Sequence, residues 1–237
     1  MTGSVFIKRY PAPHHTAAAR AHWDWLAELE SGVRLPMLRL AKPHQLEFEH
    51  LGHQQPGPDD LGVLAQALGR LHAAAHQWQL HAARLGEPFL ASGGLVIGDF
   101  VTSRREVLNR IPIPVVGLPV AFYKDATIRN FLLTDGNAAI VDFDDLTLAP
   151  FGYDLAKLIV STAMTYGRLD PREIEAALAV YNTHSAAAGG DTTTCSGQRL
   201  RVYAEFHHLL TARYLHRNGY RHAWPEVHPW RESEVPR

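Results

Sequence analysis

The segment from Ala121 to Asp145 constrains the fold of this 237-residue chain more than any other part of it. Two short apolar runs are separated there by an Asp-Gly pair, which predicts a β-hairpin. Such a hairpin would bring Asp125, Asn130 and Asp142 to one end of a sheet. Two carboxylates and an amide in this order are the oxygen groups needed to hold a Mg²⁺-nucleotide beside an acceptor hydroxyl.

Three further runs occur in an order that matches a known family. They are Leu68–His72 (Leu-Gly-Arg-Leu-His), Ile140–Asp144 (Ile-Val-Asp-Phe-Asp) and Pro150–Ala156 (Pro-Phe-Gly-Tyr-Asp-Leu-Ala). Together with the Asp-x-x-x-x-Asn spacing of Asp125 and Asn130, they make the chain resemble the aminoglycoside phosphotransferase and choline kinase-like family. The resemblance implies an α+β, protein-kinase-like fold of two lobes that uses ATP and Mg²⁺. It also implies transfer of the γ-phosphoryl group to a hydroxyl of a small molecule or of a peptide Ser or Thr.

Composition excludes several other classes of protein. The net charge of −1 argues against a general nucleic-acid or membrane-surface binder, which would usually be strongly basic. No apolar stretch approaches the roughly 20 residues that span a bilayer. The single cysteine, Cys195, cannot form an internal disulfide. The fifteen histidines are scattered without metal-ligand spacing, so zinc binding is not expected. We therefore expect a cytoplasmic protein.

Periodicity divides the chain into a β-rich beginning and a helical remainder. The resemblance implies that residues 1–52 form a small nucleotide-binding lobe, and that residues 53–237 form a helical lobe with the catalytic loop and the acceptor side. The strands of the first lobe are predicted at 5–10, 37–40 and 45–50, and its helix at 16–30. The main helices of the second lobe are predicted at 59–79, 152–166, 171–186 and 197–218.

The resemblance gives roles to the acidic segment. It implies that Asp125 is the catalytic aspartate, which accepts or orients the proton of the attacking hydroxyl, and that Asn130 and Asp142 hold Mg²⁺. Taken alone, each residue has an ordinary alternative, because Asp125 and Asn130 could belong to turns and Asp142 could simply end a strand. One of Asp144 and Asp145 could reach a second metal ion, but both are expected to be solvated or to cap local structure.

Lys8 and the segment after the third strand are predicted to bind the nucleotide. Lys8 resembles the family lysine that holds the α- and β-phosphates, although a lone lysine in a strand is usually only solvent-facing. Backbone groups near Glu49 and Leu51 resemble the hinge that reads the adenine edge, with Phe48 at the back wall of the pocket. An ordinary exit from a strand is the alternative.

Two features of the first lobe depart from the family pattern. The lysine of the family pairs with a glutamate of the following helix, and Ala19 or Arg20 occupies that position here. Only residues 1–4 precede the lysine strand, so we expect a lobe that lacks the strands of the glycine-rich loop. Either the phosphate site is more open or a protein partner completes the lobe.

The catalytic loop departs as well, because Tyr123-Lys124 stands where His-Gly is common in the family. Tyr123 is expected to take over the structural task of that histidine, whereas Lys124 is either a phosphate contact or an exposed side chain. By resemblance, His72 supports the loop from the core, and Asp154 accepts hydrogen bonds from the amides of the loop.

The acceptor is expected to be neutral or anionic. From Arg199 onwards there are seven arginines and four glutamates, whereas a site for polycationic antibiotics should be lined by carboxylates. A rival hypothesis is a catalytically silent kinase-like protein that binds a peptide or a partner enzyme. The expected absence of the phosphate-covering loop favours this rival, and the presence of all three oxygen ligands opposes it.

Overall fold

The computed structural model of the chain describes residues 4–52 and 54–230, which form nine strands and seven helices. The first three strands make an antiparallel sheet in the order β1-β3-β2, so β1 is an outer strand of that sheet. Their bounds are β1 Val5–Arg9, β2 Leu38–Lys42 and β3 Gln45–Glu49. All three strands predicted for this part of the chain are present.

Helix α1 (Pro13–Glu28) joins this sheet to the rest of the molecule. It begins three residues earlier than predicted, because Pro13 is its first residue; proline suits that position, where its missing N–H and fixed φ cost nothing. Ala19 packs in a small apolar cluster with residues of the sheet, whereas Trp25 and Leu26 are buried in the main core. The helix therefore anchors the small sheet to the large helical part.

The remaining helices contain the strongly periodic segments of the sequence. They are α2 Leu61–Trp78, α3 Arg105–Leu108, α4 Tyr153–Tyr166, α5 Pro171–Ser185, α6 Gly197–Thr211 and α7 Trp224–Val227. The prediction of a helix to residue 218 was wrong at its end, since α6 stops at Thr211. His216 and Asn218 have φ values of 61° and 50°, which a right-handed helix cannot accommodate.

Three two-stranded sheets complete the fold. They are β4 Phe89–Leu90 with β5 Val96–Ile97, β6 Val120–Tyr123 with β9 Thr147–Pro150, and β7 Phe131–Thr134 with β8 Asn137–Ile140. The predicted hairpin is β7–β8, and Asp135 and Gly136 at its turn both have positive φ, as a tight hairpin turn requires. The pairing of β6 with β9 was not predicted. It brings the two ends of the hairpin-bearing segment together.

Helix α2 packs extensively against α5, and Gly69 lies within this contact. A Cβ atom at this position would lie 2.7 Å from the carbonyl oxygen of Tyr181 and 3.0 Å from Cβ of His184. Gly62, on the same helix, has nothing within 4 Å of its Cβ position. Only the first of these glycines is therefore required by packing.

We expect Gly69→Ala to lower the free energy of unfolding by about 1–3 kcal/mol, because the added methyl group forces α2 and α5 apart. Urea unfolding followed by circular dichroism measures the change. Gly62→Ala is the matched control and should leave the stability equal or slightly higher. An unchanged or higher stability of Gly69→Ala, as in the control, would show that the close approach of α2 and α5 does not require glycine at this position.

Candidate active site

The loop that follows β6 is held in a fixed conformation by a buried carboxylate. Asp154, on α4, is fully buried and accepts hydrogen bonds from the backbone amides of Lys124 (3.1 Å) and Ala126 (3.2 Å). The expected support of this loop by Asp154 is therefore confirmed. His72, also fully buried, lies 3.6 Å from Asp154 and bonds to the hydroxyl of Tyr181 (2.8 Å).

Asp125 stands at the tip of this loop in a strained backbone conformation. Its φ is +60°, a region that costs free energy for a residue other than glycine and is often found at functional sites. Its carbonyl oxygen accepts hydrogen bonds from the amide of Thr127 (2.6 Å) and from Nδ2 of Asn130 (2.9 Å). Asp125 and Asn130 are thus fixed to each other directly.

One oxygen of the Asp125 carboxylate is occupied from within the protein. Oδ1 accepts a hydrogen bond from the hydroxyl of Tyr123 (2.8 Å) and lies 3.4 Å from Nζ of Lys157. Burial, together with the charge of Asp125, raises the pKa of Tyr123 well above its ordinary value, so this hydroxyl remains a donor. The Asp125 side chain is about half exposed, at 51%. Its other oxygen is therefore the one left for a ligand.

Lys157 was not singled out by the sequence analysis. It is only 6% exposed, and its ammonium group also donates to Oγ1 of Thr211 (3.2 Å) and lies 5.9 Å from the ring centroid of Tyr220. The signal in the sequence is a lone lysine within the apolar run of α4. A buried lysine requires a paired anion, and Asp125 is that anion.

Asn130 and Asp142 lie side by side. The amide of Val141 donates to the carbonyl oxygen of Asn130 (3.0 Å), so the residue that precedes Asp142 is fixed to Asn130. Since Nδ2 of Asn130 is engaged by Asp125, the side-chain oxygen of Asn130 is left for a cation. An amide oxygen and a carboxylate are a suitable protein contribution to Mg²⁺, which takes its other ligands from phosphates and water.

Both residues line a cavity of about 360 Å³ between the first sheet and the hairpin segment. The same cavity is lined by Lys8, Phe48, Glu49 and Leu51. The structure thus brings together six of the seven predicted site residues, and Asp125 is joined to them through Asn130. Their individual roles stay predictions. In the described part of the chain no group of three His, Cys, Asp or Glu side chains is placed to hold a metal, so a cation here would depend on other ligands.

Lys8 is paired with two carboxylates of the hairpin segment. Its Nζ lies 2.5 Å from Asp142 Oδ1 and 2.7 Å from Asp144 Oδ2. Burial alone would lower the pKa of Lys8, but the hydrogen bonds and charges of the two aspartates outweigh it and raise this pKa. The expectation that Asp144 is solvated or a cap was wrong, because it binds Lys8 and the hydroxyl of Tyr10 (3.0 Å). Asp145 is exposed.

The predicted hinge forms one wall of the cavity. Phe48 is buried in the small apolar cluster, at 6% exposure. The carboxylate of Glu49 is turned towards Arg34, and the amide of Glu49 donates to the carbonyl oxygen of Met37 (2.8 Å). The Glu49 amide is therefore unavailable to a ligand.

Lys124 is not exposed, contrary to one of the two expectations for it. The side chain is buried at 2% exposure, and its Nζ donates to the carbonyl oxygen of Val141 (3.2 Å) and lies 5.1 Å from the ring centroid of Phe131. Burial lowers the pKa of Lys124 to about 8, against the opposing effect of Asp154, Asp142 and Asp125.

Two cations flank the ring of Tyr220 close to Asp125. The guanidinium carbon of Arg129 lies 5.0 Å from the ring centroid, and Lys157 lies 5.9 Å from it. Arg129 also lines the cavity beside Asn130. Lys157, at 3.4 Å, is thus the cation beside the Asp125 carboxylate, and Arg129 contacts the same Tyr220 ring as Lys157.

Comparison with known proteins places this geometry in context. The sequence model described as "Phosphotransferase enzyme family" matches residues 2–190. None of the curated proteins that were compared matches the chain by sequence.

Solved structures show the same fold at low sequence identity. An amicoumacin kinase in complex with AMP-PNP, Ca²⁺ and Ami superposes with a TM-score of 0.60 at 12% identity, over 90% of this chain and 73% of that one. The macrolide 2′-phosphotransferase of Brachybacterium faecium gives 0.58 at 16% identity, over 90% and 77%. The choline kinase of Streptococcus pneumoniae gives 0.57 at 15% identity, over 88% and 75%. The predicted α+β, kinase-like fold is confirmed.

The low pKa of Lys124 predicts how stability changes with pH. Between the folded-state pKa of about 8 and the ordinary lysine value of 10.5 the unfolded chain binds more protons, so raising the pH stabilises the fold. Between pH 7 and 9.5 the wild type should gain about 2 kcal/mol relative to Lys124→Met. Urea unfolding of both proteins at each pH measures this gain. A constant difference between them would contradict the burial of a titrating ammonium group.

Proposed function

Because the chain belongs to the phosphotransferase enzyme family, we propose that it transfers the γ-phosphoryl group of ATP to a hydroxyl of a small molecule or of a peptide Ser or Thr. The observation that carries the proposal is the direct hydrogen bond between Asn130 and the backbone of Asp125. It couples a residue that can hold a metal-bound nucleotide to a carboxylate that can orient an acceptor. Transfer between two bound groups depends chiefly on such positioning.

The cavity of about 360 Å³ is the proposed nucleotide site. Phe48 would contact the base, the backbone of Glu49 and Leu51 its polar edge, and Lys8 the phosphates. Asn130 and Asp142 would hold Mg²⁺, which when bound neutralises charge on the phosphate oxygens. The residues of the chain would orient the nucleotide and direct its terminal phosphate towards Asp125.

Asp125 is the proposed catalytic residue. Tyr123 and Lys157 both contact Oδ1, which fixes the plane of the carboxylate and directs Oδ2 outward. An acceptor hydroxyl that donates to Oδ2 would have its oxygen turned towards the phosphate and could release its proton to the carboxylate. A carboxylate used in this way typically contributes about 10²–10⁴-fold to the rate.

The charge around Asp125 supports a neutral or anionic acceptor. Lys157 already pairs with Asp125 at 3.4 Å, so this carboxylate attracts an approaching ammonium group less than an unpaired one would, and Arg129 lines the cavity beside Asn130. A polycationic acceptor would have to approach these fixed positive charges, which is unfavourable where solvent is partly excluded. A hydroxyl compound without amino groups, or a peptide Ser or Thr, avoids that repulsion.

A catalytically silent binding protein is the second candidate, and one observation favours it. Strand β1 is an outer strand, and its apolar side chains Val5 and Ile7, which do not line the proposed nucleotide cavity, are each 41% exposed. A protein partner that adds a strand here would cover part of this apolar surface and complete the first lobe.

No helix in the described part of the chain is long and apolar enough to cross a membrane. We retain a cytoplasmic location and the absence of nucleic-acid partners as parts of the proposal.

Nucleotide binding separates the two candidates. We expect Mg²⁺-ADP to raise the melting temperature of the wild type and to have little effect on Asp142→Asn, which loses the charged ligand of the metal. Asp135→Asn, at the exposed turn of the same hairpin, is the matched control and should respond like the wild type. If Mg²⁺-ADP does not stabilise the wild type, the binding-only candidate is favoured.

Asp125→Asn should fold and bind Mg²⁺-ADP like the wild type but lose at least about 100-fold in turnover, because an amide cannot accept the proton of the acceptor. Transfer of radioactive phosphate from ATP to separate pools of alcohols, hydroxy acids, amino alcohols, Ser/Thr peptides and aminoglycosides provides the assay. Undiminished transfer by Asp125→Asn would remove this residue from its proposed role. Preferential phosphorylation of aminoglycosides would overturn the proposed class of acceptor.

A further inference from the structure

Lys8 finds its counterions on the segment that carries the proposed metal ligand. Its Nζ lies 2.5 Å from Asp142 Oδ1 and 2.7 Å from Asp144 Oδ2. The acidic residues of α1, Asp24 and Glu28, bond to other partners. The position of the ammonium group is therefore set by two carboxylates that are separated by a single residue.

These two carboxylates are held differently. Asp144 uses both of its oxygens, because Oδ2 contacts Lys8 and Oδ1 accepts from the hydroxyl of Tyr10 at 3.0 Å. Asp142 contacts Lys8 through Oδ1, and its side chain is the more exposed, at 48% compared with 37% for Asp144. Burial and the charge of Asp144 raise the pKa of Tyr10, so its hydroxyl remains a donor. Asp144 is thus the more firmly fixed of the two.

A divalent ion on Asp142 would change the surroundings of Lys8. It would place two positive charges beside an ammonium group that now lies 2.5 Å from the same carboxylate. Like charges at such separations repel strongly in a partly buried site. Lys8 would then leave Asp142, and Asp144 would be the carboxylate that still holds it.

We propose that Asp144, braced by Tyr10, is the positioning residue for Lys8 and keeps its ammonium group directed at the nucleotide phosphates when a metal ion occupies Asp142. This inference rests on the proposed function, since it assigns a task within the proposed nucleotide site. Asp144 acts through Lys8 and is not itself a ligand of the metal.

The proposal can be separated from the direct effect of the Asp144 charge. A carboxylate near the phosphates repels them, so its removal alone should strengthen nucleotide binding. If Asp144 holds Lys8 in place, removing Asp144 should weaken nucleotide binding, but only in a protein that contains Lys8. A double-mutant cycle between the two residues isolates the second effect from the first.

The experiment measures the dissociation constant of Mg²⁺-ADP by calorimetry for the wild type, Lys8→Met, Asp144→Asn and the double variant. Asp144→Asn should weaken binding by at least about fivefold in the wild type. In the Lys8→Met background the same change should cause no weakening. Asp145→Asn removes the same charge one residue later, and it should keep the wild-type affinity.

Tyr10→Phe gives a second test that leaves the net charge unchanged. It should weaken Mg²⁺-ADP binding to a smaller extent than Asp144→Asn, and only when Lys8 is present. Circular dichroism and thermal unfolding without nucleotide check that each variant is folded.

Three results would overturn the inference. Equal weakening by Asp144→Asn in both backgrounds, with a higher requirement for Mg²⁺, would make Asp144 a metal ligand. The same change in affinity in both backgrounds, with no weakening in either, would show that Lys8 needs no such brace. If the wild type itself fails to bind Mg²⁺-ADP, the proposed function fails and this inference fails with it, a result distinct from the other two.

Discussion

The buried carboxylate of Asp154 is the interaction on which the rest of the site depends. It holds the amides of Lys124 and Ala126 on either side of Asp125, which allows the chain to keep Asp125 at a positive φ. That conformation directs the Asp125 carbonyl group to Asn130, and Asn130 is in turn fixed to the strand that leads to Asp142. A carboxylate with both oxygens bonded to backbone amides is a strong, charge-assisted anchor. Hydrogen bonds to the backbone thus fix the positions of Asp125, Asn130 and Asp142 relative to one another.

Around this anchor, three acidic side chains are paired with two lysines. Asp125 is paired with Lys157, and Asp142 and Asp144 are paired with Lys8. A cluster of carboxylates without such partners would repel itself and oppose folding of the segment. The two ion pairs of Lys8 also hold its ammonium group at the cavity where the phosphates are proposed to bind. The same charges therefore stabilise the protein without a ligand and form its proposed nucleotide site.

Much of the fold could be predicted because its signals are local. The Asp-Gly pair determined the hairpin, helical periodicity located α2, α4 and α5, and the short motifs indicated the family. Features that depend on distant residues were missed. These features are the burial of Lys124 and Lys157, the counterions of Lys8 and the pairing of β6 with β9. Each depends on contacts between segments that are far apart in sequence. The early end of α6 reflects positive φ values at His216 and Asn218 that no propensity rule requires.

The central claim is that Asn130 and Asp142 share a metal ion with a nucleotide in the cavity beneath the first sheet. A crystal structure with ADP and Mn²⁺, measured at a wavelength where Mn²⁺ scatters anomalously, tests it most directly. The account predicts an anomalous peak that contacts the side-chain oxygens of Asn130 and Asp142 and the ADP phosphates, with the base against Phe48. A peak away from these two residues, or ADP bound outside the cavity, would contradict it.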